Sequence, residues 1–311
     1  MEKILKSHGA WIGKWTFILA ATGSAVGLGN IWGFPYKAGT NGGGAFVLIY
    51  LMCILMIGVP IMISEIIIGR RAGNSPINAM KRTALDSNST SLWKFVGWSG
   101  ITAGILILSF YSVIAGICLN YIFIAAFSDG VLSSSEQFGA VIESPSNLLF
   151  WHSIFMLLTF LIVSAGVKNG IGRMVKILMP MLGFLLIFMV LYAMFNGAFS
   201  KALSFLFAPD FSNVTSETFL SAMGQAFFSL SLGMGSIMAY GAYMPKDQKV
   251  VPTSFTVASS LSVYAITEGV VLPPSAFSIT FCCCPSTTAT QLFVVPKSIP
   301  IIFDILFSSN F

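Results

Sequence analysis

Residues 22–46 read TGSAVGLGNIWGFPYKAGTNGGGAF and sit inside an apolar region long enough to span a bilayer. The stretch nevertheless holds Gly27 and Gly29, with Asn30, Pro35 and Asn41. Glycine weakens a helix and proline removes a backbone donor. In hydrocarbon, freed N–H and C=O groups cannot turn to water. Broken backbone persists at membrane depth only where it is buried in protein or lines a polar cavity. The stretch therefore predicts a helix interrupted near 25–30, with its loose backbone groups directed at something polar. A second reading stays open on spacing alone: Gly27 and Gly29 can also let a neighbouring helix approach closely.

Composition sets the class. The 311 residues are 56% hydrophobic and 9% charged, against roughly 25% charged in soluble domains. This is an all-α polytopic membrane protein. The N-terminal MEKILKSHGAW does not read as a convincing signal peptide, because the apolar run after it is too long and lacks a small-residue cleavage pattern. The net charge of +5 sits in loops, and no basic cluster interleaved with aromatics marks a nucleic-acid partner. Cys53 and Cys118 fall in apolar helices, and Cys282, Cys283 and Cys284 are consecutive, poorly placed to chelate one metal. His8 and His152 are the only histidines. With no nucleophile–base set and no phosphate loop, an enzyme is not expected.

A span needs about 20 mostly apolar residues. Seven fit: 15–36, 45–68, 95–127, 148–167, 175–199, 219–243 and 251–272, with 273–311 as a divergent extracellular tail. The second contains Pro60 and, toward its end, Glu65, an acid suited to packing or gating. The third is long enough to need strong tilt. The sixth gathers Ser229, Ser231, Gly233 and Gly235 at its middle, the same trouble as the first. Twelve of the 16 basic residues fall on one side, including Arg70, Arg71, Lys81, Arg82 and Lys94 after the second span. The loop between the third and fourth spans carries Asp129, Glu136 and Glu143 and no base. The positive-inside rule then puts the N-terminus in the cytoplasm of a multi-pass plasma-membrane protein. Two helices broken at their midpoints, five spans apart and opposite in direction, are what an inverted repeat produces. Half-helix N-termini suit a carboxylate, and unwound carbonyls suit Na⁺.

The motif SAVGLGNIWGFPYKAGTNGGGAF closely resembles the first-helix signature of the neurotransmitter:sodium symporter family. GQAFFSLSLGMGSIMAYGAY (224–243) resembles its sixth helix, KDQ (246–248) the loop after it, and LSFYSVIAG (108–116) its third helix. The resemblance runs from about residue 11 to 258 and implies a LeuT-like inverted-repeat fold, with the first five-helix repeat and about two helices of the second. It implies a sodium-coupled symporter for a neutral amino acid or related carboxylate-bearing solute. Carbonyls of Gly23 and Val26 would supply part of one of two sodium sites. The Ala25 carbonyl, the Asn30 amide oxygen and Ser229 would supply part of the other. Ala25, Leu28, Gly29 and Tyr111 would surround the substrate carboxylate, with Ile107, Phe228, Ser231 and Met234 lining the rest of the pocket. Tyr50, Gln225 and Ser229 match the chloride site of some members. Gly27 stands where members that carry biogenic amines have Asp, which implies a ligand that brings its own carboxylate. The partners implied are the amino acid, sodium ions and the lipid bilayer; a homo-oligomer stays open.

The departures from the family are specific. Gly33 replaces an outer-gate Arg, His8 an inner-gate Arg, and Leu261 the seventh-helix Asn of the first sodium site. Spans eight to twelve are absent, so residues 1–311 alone are not expected to transport. A non-transporting membrane protein or partner subunit is the alternative of a different class. A channel is disfavoured because no ring of charged residues recurs.

Overall fold

The computed structural model describes residues 14–127 apart from Leu28, and 139–271 apart from 197, 198, 213 and 246. Leu28, His8, Asp129, Glu136, Lys246 and the 273–311 tail with its three cysteines lie outside the described residues. The first span is broken as expected. Helix α1 (Lys14–Ala25) stops at the glycine-rich motif, a π-helical turn spans Gly29–Gly33, and α2 (Phe34–Thr40) follows. Helix α3 (Gly44–Cys53) runs through a π-helical turn (Ile54–Gly58) into α4 (Val59–Ala72), so the second span continues past Pro60. The wider turn falls where the proline ring would otherwise meet the preceding carbonyl. The span ends four residues later than its apolar run predicts. Arg70 and Arg71 lie in the last helical turn, where cations suit the free carbonyls, and Gly73 caps it in the left-handed region.

Helix α5 (Pro76–Asp86) was not anticipated between the basic residues of the following loop. Ser75 at its N-cap and Pro76 in its first turn were the available signal. A short 3-10 turn (Ser91–Trp93) leads into α6 (Lys94–Phe127), whose 34 residues extend about 51 Å at 1.5 Å per residue. That exceeds a bilayer core of about 30 Å. The fourth and fifth spans are α7 (Pro145–Ser164) and α8 (Gly172–Asn196), and a short unforeseen helix, α9 (Phe199–Phe207), follows. The sixth span breaks as the first does, into α10 (Ser216–Ser229) and α11 (Ser236–Ala242). Helix α12 (Val250–Val271) is the seventh.

Five helices among the described residues are long and apolar enough to cross a membrane. The first and sixth spans fall short only because each is cut in two. Burial separates the spans into an inner and an outer set. In the second and seventh, 44% of the most apolar window is buried, against 11% or less in the third, fourth and fifth. Helix α4 packs on α11, α3 on α10, and α12 on α1, so the inner spans enclose both breaks. The centre is aromatic: Phe34, Phe46 and Tyr50 are fully buried, with the Phe34 and Tyr50 rings 4.9 Å apart. The tilted packing of Phe34 on Tyr50 adds to what their apolar burial contributes.

Candidate functional site

The two breaks meet. Asn30 enters the first π-helical turn and is fully buried. Its Nδ2 donates to the Ala25 carbonyl at 3.0 Å, so the side chain bridges the gap in its own helix. Its Oδ1 accepts from Ser229 Oγ at 2.6 Å, at the last residue of α10. Gln225, one turn earlier on α10, donates through Nε2 to the Gly29 carbonyl at 2.8 Å and to Ser229 Oγ at 3.3 Å. The Tyr50 hydroxyl is buried beside Ser229 of the same network. The chain Gln225–Ser229–Asn30–Ala25 thus sews residues almost 200 positions apart with neutral groups only.

Those groups are mostly oxygens. The Ala25 and Gly29 carbonyls, Asn30 Oδ1 and Ser229 Oγ are hard, uncharged ligands gathered around one buried spot. Each carbonyl is now answered by an amide N–H, and a hard cation of small charge is the other partner such oxygens accept. Gly23 and Val26 sit beside this network at the end of α1. A Cβ placed on Gly23 would lie 2.8 Å from Met179 Sδ of α8, and Val26 N–H donates to the Thr22 carbonyl at 2.8 Å. Thr22 Oγ1 is buried without a partner.

A second group of residues collects on the other side of Gly29. The Tyr111 hydroxyl of α6 hydrogen-bonds with the Gly29 backbone. The Phe228 ring presses on Gly29 so closely that a Cβ there would fall 1.8 Å from Phe228 Cε1. Tyr111 and Phe228 are 6.4 Å apart, centroid to centroid. Gly27 faces Tyr111 Cε1, 3.6 Å from where a Cβ would stand. Ile107 is one helical turn before Tyr111 on α6, and half-buried. Ser231 is buried within the sixth break, and Met234 lies against Gly100 of α6 through its backbone. Of the residues singled out in the sequence, then, Ala25, Gly29, Asn30, Tyr111, Gln225, Phe228 and Ser229 come together by direct contact. Leu261 is fully buried in the core.

One partner was missed. Glu65 is buried on α4, and its Oε1 accepts the Gly233 N–H at 2.8 Å, inside the sixth break. A carboxylate in an apolar span is by default a functional group with a specific partner. That signal was present, but the partner is 168 residues away.

The chain matches the Sodium:neurotransmitter symporter family over residues 8–136 and 127–281. It is 40% identical over 301 residues to an uncharacterized sodium-dependent transporter, YhdH, of Bacillus subtilis, covering 94% of this chain and 64% of that one. It is 31% identical to an uncharacterized sodium-dependent transporter of Haemophilus influenzae, covering 98% and 68%. Among solved structures, it superposes on MhsT in complex with L-phenylalanine with a TM-score of 0.79 and 42% identity, covering 96% and 67%. The chain spans about two thirds of the length of each of these proteins.

Proposed function

Because the chain belongs to the sodium:neurotransmitter symporter family, we propose that its two breaks form the ligand site of a sodium-coupled amino-acid symporter. The carrying observation is the closed network of Asn30, Ser229, Gln225 and the Ala25 carbonyl. In this reading sodium enters as co-substrate. It takes the Ala25 carbonyl, Asn30 Oδ1 and Ser229 Oγ in place of their present hydrogen-bond partners, which gives Asn30 a second arrangement. The carbonyls of Gly23 and Val26 contribute to a second sodium. Tyr50, Gln225 and Ser229 are the residues that chloride would meet.

The organic substrate lies against Gly29, Tyr111 and Phe228, with Leu28, Ile107, Ser231 and Met234 around it. Its carboxylate takes the backbone N–H groups of the first break and the Tyr111 hydroxyl. The absence of an acidic side chain at Gly27 supports a ligand that supplies its own anion, since an uncompensated charge at the bilayer midplane is costly. Two similarities support an amino acid. L-phenylalanine is bound in the MhsT structure, and a bovine sodium-dependent neutral amino acid transporter is 26% identical to this chain. The gathering of basic residues on one side of the spans supports a cytoplasmic N-terminus.

The test is sodium-dependent binding of radiolabelled L-phenylalanine to a version of full family length, in competition with phenethylamine. The amino acid is expected to displace the label and the amine to fail. Equal competition by the amine in sodium overturns the carboxylate argument.

A further inference from the structure

Helix α5 lies beside the start of α6 as a two-faced cover. Pro76, Ala79 and Ala84 are buried, whereas Lys81, Arg82 and Leu85 face out. The inner face is held tightly: a Cβ on Gly97 of α6 would lie 2.6 Å from Ile77 Cα. The outer face continues through the 3-10 turn, where Leu92 is 63% and Trp93 51% exposed, to Phe95 and Trp98 at the head of α6. Trp93 is fixed by a 3.0 Å bond from Nε1 to Ser89 Oγ, and Lys94 Nζ stands 5.5 Å from the Phe95 ring centroid. The only ion pair among the described residues joins Arg71 to Asp86 at 3.7 Å. Lys81, Arg82 and Lys94 are in none.

Three cations outside any ion pair, with exposed Trp, Phe and Leu, form the pattern of a surface seated at the headgroup level of a membrane. The apolar side chains suit the acyl boundary, and the cations want phosphate. We propose that α5, the 3-10 turn and the head of α6 form a binding site for anionic phospholipid, with Lys81, Arg82 and Lys94 holding its phosphate. An acidic protein segment would match the charge but leave Leu92, Trp93, Phe95 and Trp98 without an apolar phase. The site also reaches the transport machinery. Pro76, at the start of the same helix, lies against Gly235 in the sixth break, where an added Cβ would be 3.1 Å from its ring.

The test uses the purified chain in symmetric lipid nanodiscs of phosphatidylcholine with a minor fraction of phosphatidylglycerol. Native mass spectrometry then reads which lipids stay bound. Phosphatidylglycerol is expected to be enriched over its bulk share, falling roughly fivefold for each cation neutralised in Lys81→Gln, Arg82→Gln and Lys94→Gln. The Lys81→Arg/Lys94→Arg chain keeps the enrichment. Neutralising Lys168, Arg173 and Lys176, basic residues elsewhere on the molecule, leaves most of it. If the triple Gln chain retains the full enrichment, or if both triple sets reduce it equally, the site is refuted. Should the triple chain fail to fold, Arg82→Gln alone carries the same test. A symmetric disc reads the same whichever way the chain points and whether or not it transports.

Discussion

The break in the first span and the break in the sixth use glycine for different purposes. In the first, no described residue has a left-handed backbone. At Gly29 the Phe228 ring occupies the space of a Cβ, and at Gly23 the flexible Met179 thioether lies there. In the sixth, Ser231, Gly233 and Gly235 all have positive φ, at 52°, 79° and 73°. Gly233 has no atom within 4 Å of a would-be Cβ. One break is made by close approach and the other by handedness. They also free opposite groups. The first releases the Ala25 and Gly29 carbonyls, which take N–H donors from Asn30 and Gln225. The sixth releases the Gly233 N–H, which takes a carboxylate oxygen from Glu65. An acceptor-rich break with exchangeable neutral partners is suited to a visiting cation. A donor held by a resident acid is suited to keeping a bend in place.

The largest effect should follow Asn30→Ala. It leaves the buried Ala25 carbonyl without its donor and the Ser229 O–H without its acceptor, a loss of about 2–6 kcal/mol at about 1–3 kcal/mol per group. A ligand that binds the native state stabilises it. Sodium should therefore raise the unfolding temperature of the parent chain and no longer raise that of Asn30→Ala. A variant that keeps its sodium shift would remove the first break from the cation site.

Glu65→Ala should have a smaller effect of a different kind. It strands one buried donor, Gly233 N–H, at about 1–3 kcal/mol. Glu65→Gln retains an acceptor oxygen and should recover most of that stability. Both chains should keep the sodium shift, since Glu65 bridges to the sixth break and not to the oxygen cluster. Loss of the shift in Glu65→Ala as complete as in Asn30→Ala would collapse the distinction between the two breaks.

The spans were legible in the sequence because hydrocarbon leaves so few alternatives to a helix of about 20 residues. Both interruptions were legible for the same reason, since glycine and proline in an apolar run need an explanation. The fold is the LeuT-like inverted repeat, with the first five-helix unit and two helices of the second. Less legible was what closes each break. Ser229 meets Asn30 across 199 positions and Gln225 meets Gly29 across 196. Periodicity says which residues share a helix face but not which helix that face will meet. The resemblance grouped Asn30 with Ser229 around sodium, but the direct bond between them and the reach of Gln225 to Gly29 come from tertiary packing. Helix α5 was hidden differently. Its outer face is basic, and a charged stretch between two spans reads as loop even when its inner face is built of Pro76, Ala79 and Ala84.

The smallest predicted effect isolates handedness. Gly233→Ala adds a methyl where there is room, so no packing clash contributes. What remains is the backbone. At φ 79° an L-residue is strained by about 1–2 kcal/mol. Alanine also restricts the unfolded chain, which returns about 0.5–1 kcal/mol. The net loss should therefore be about 1 kcal/mol. The Gly233 N–H survives in alanine, so the bond to Glu65 persists and the sodium shift should be unchanged. Ser231→Gly is the converse: at φ 52° it relieves a strained L-residue, at the cost of the same unfolded-state freedom, and should leave stability within about 1 kcal/mol of the parent. Thermal unfolding of the two chains with and without sodium decides it. A loss well beyond this range in Gly233→Ala would mean that the sixth break, like the first, is governed by close packing, and the contrast between the two would fail.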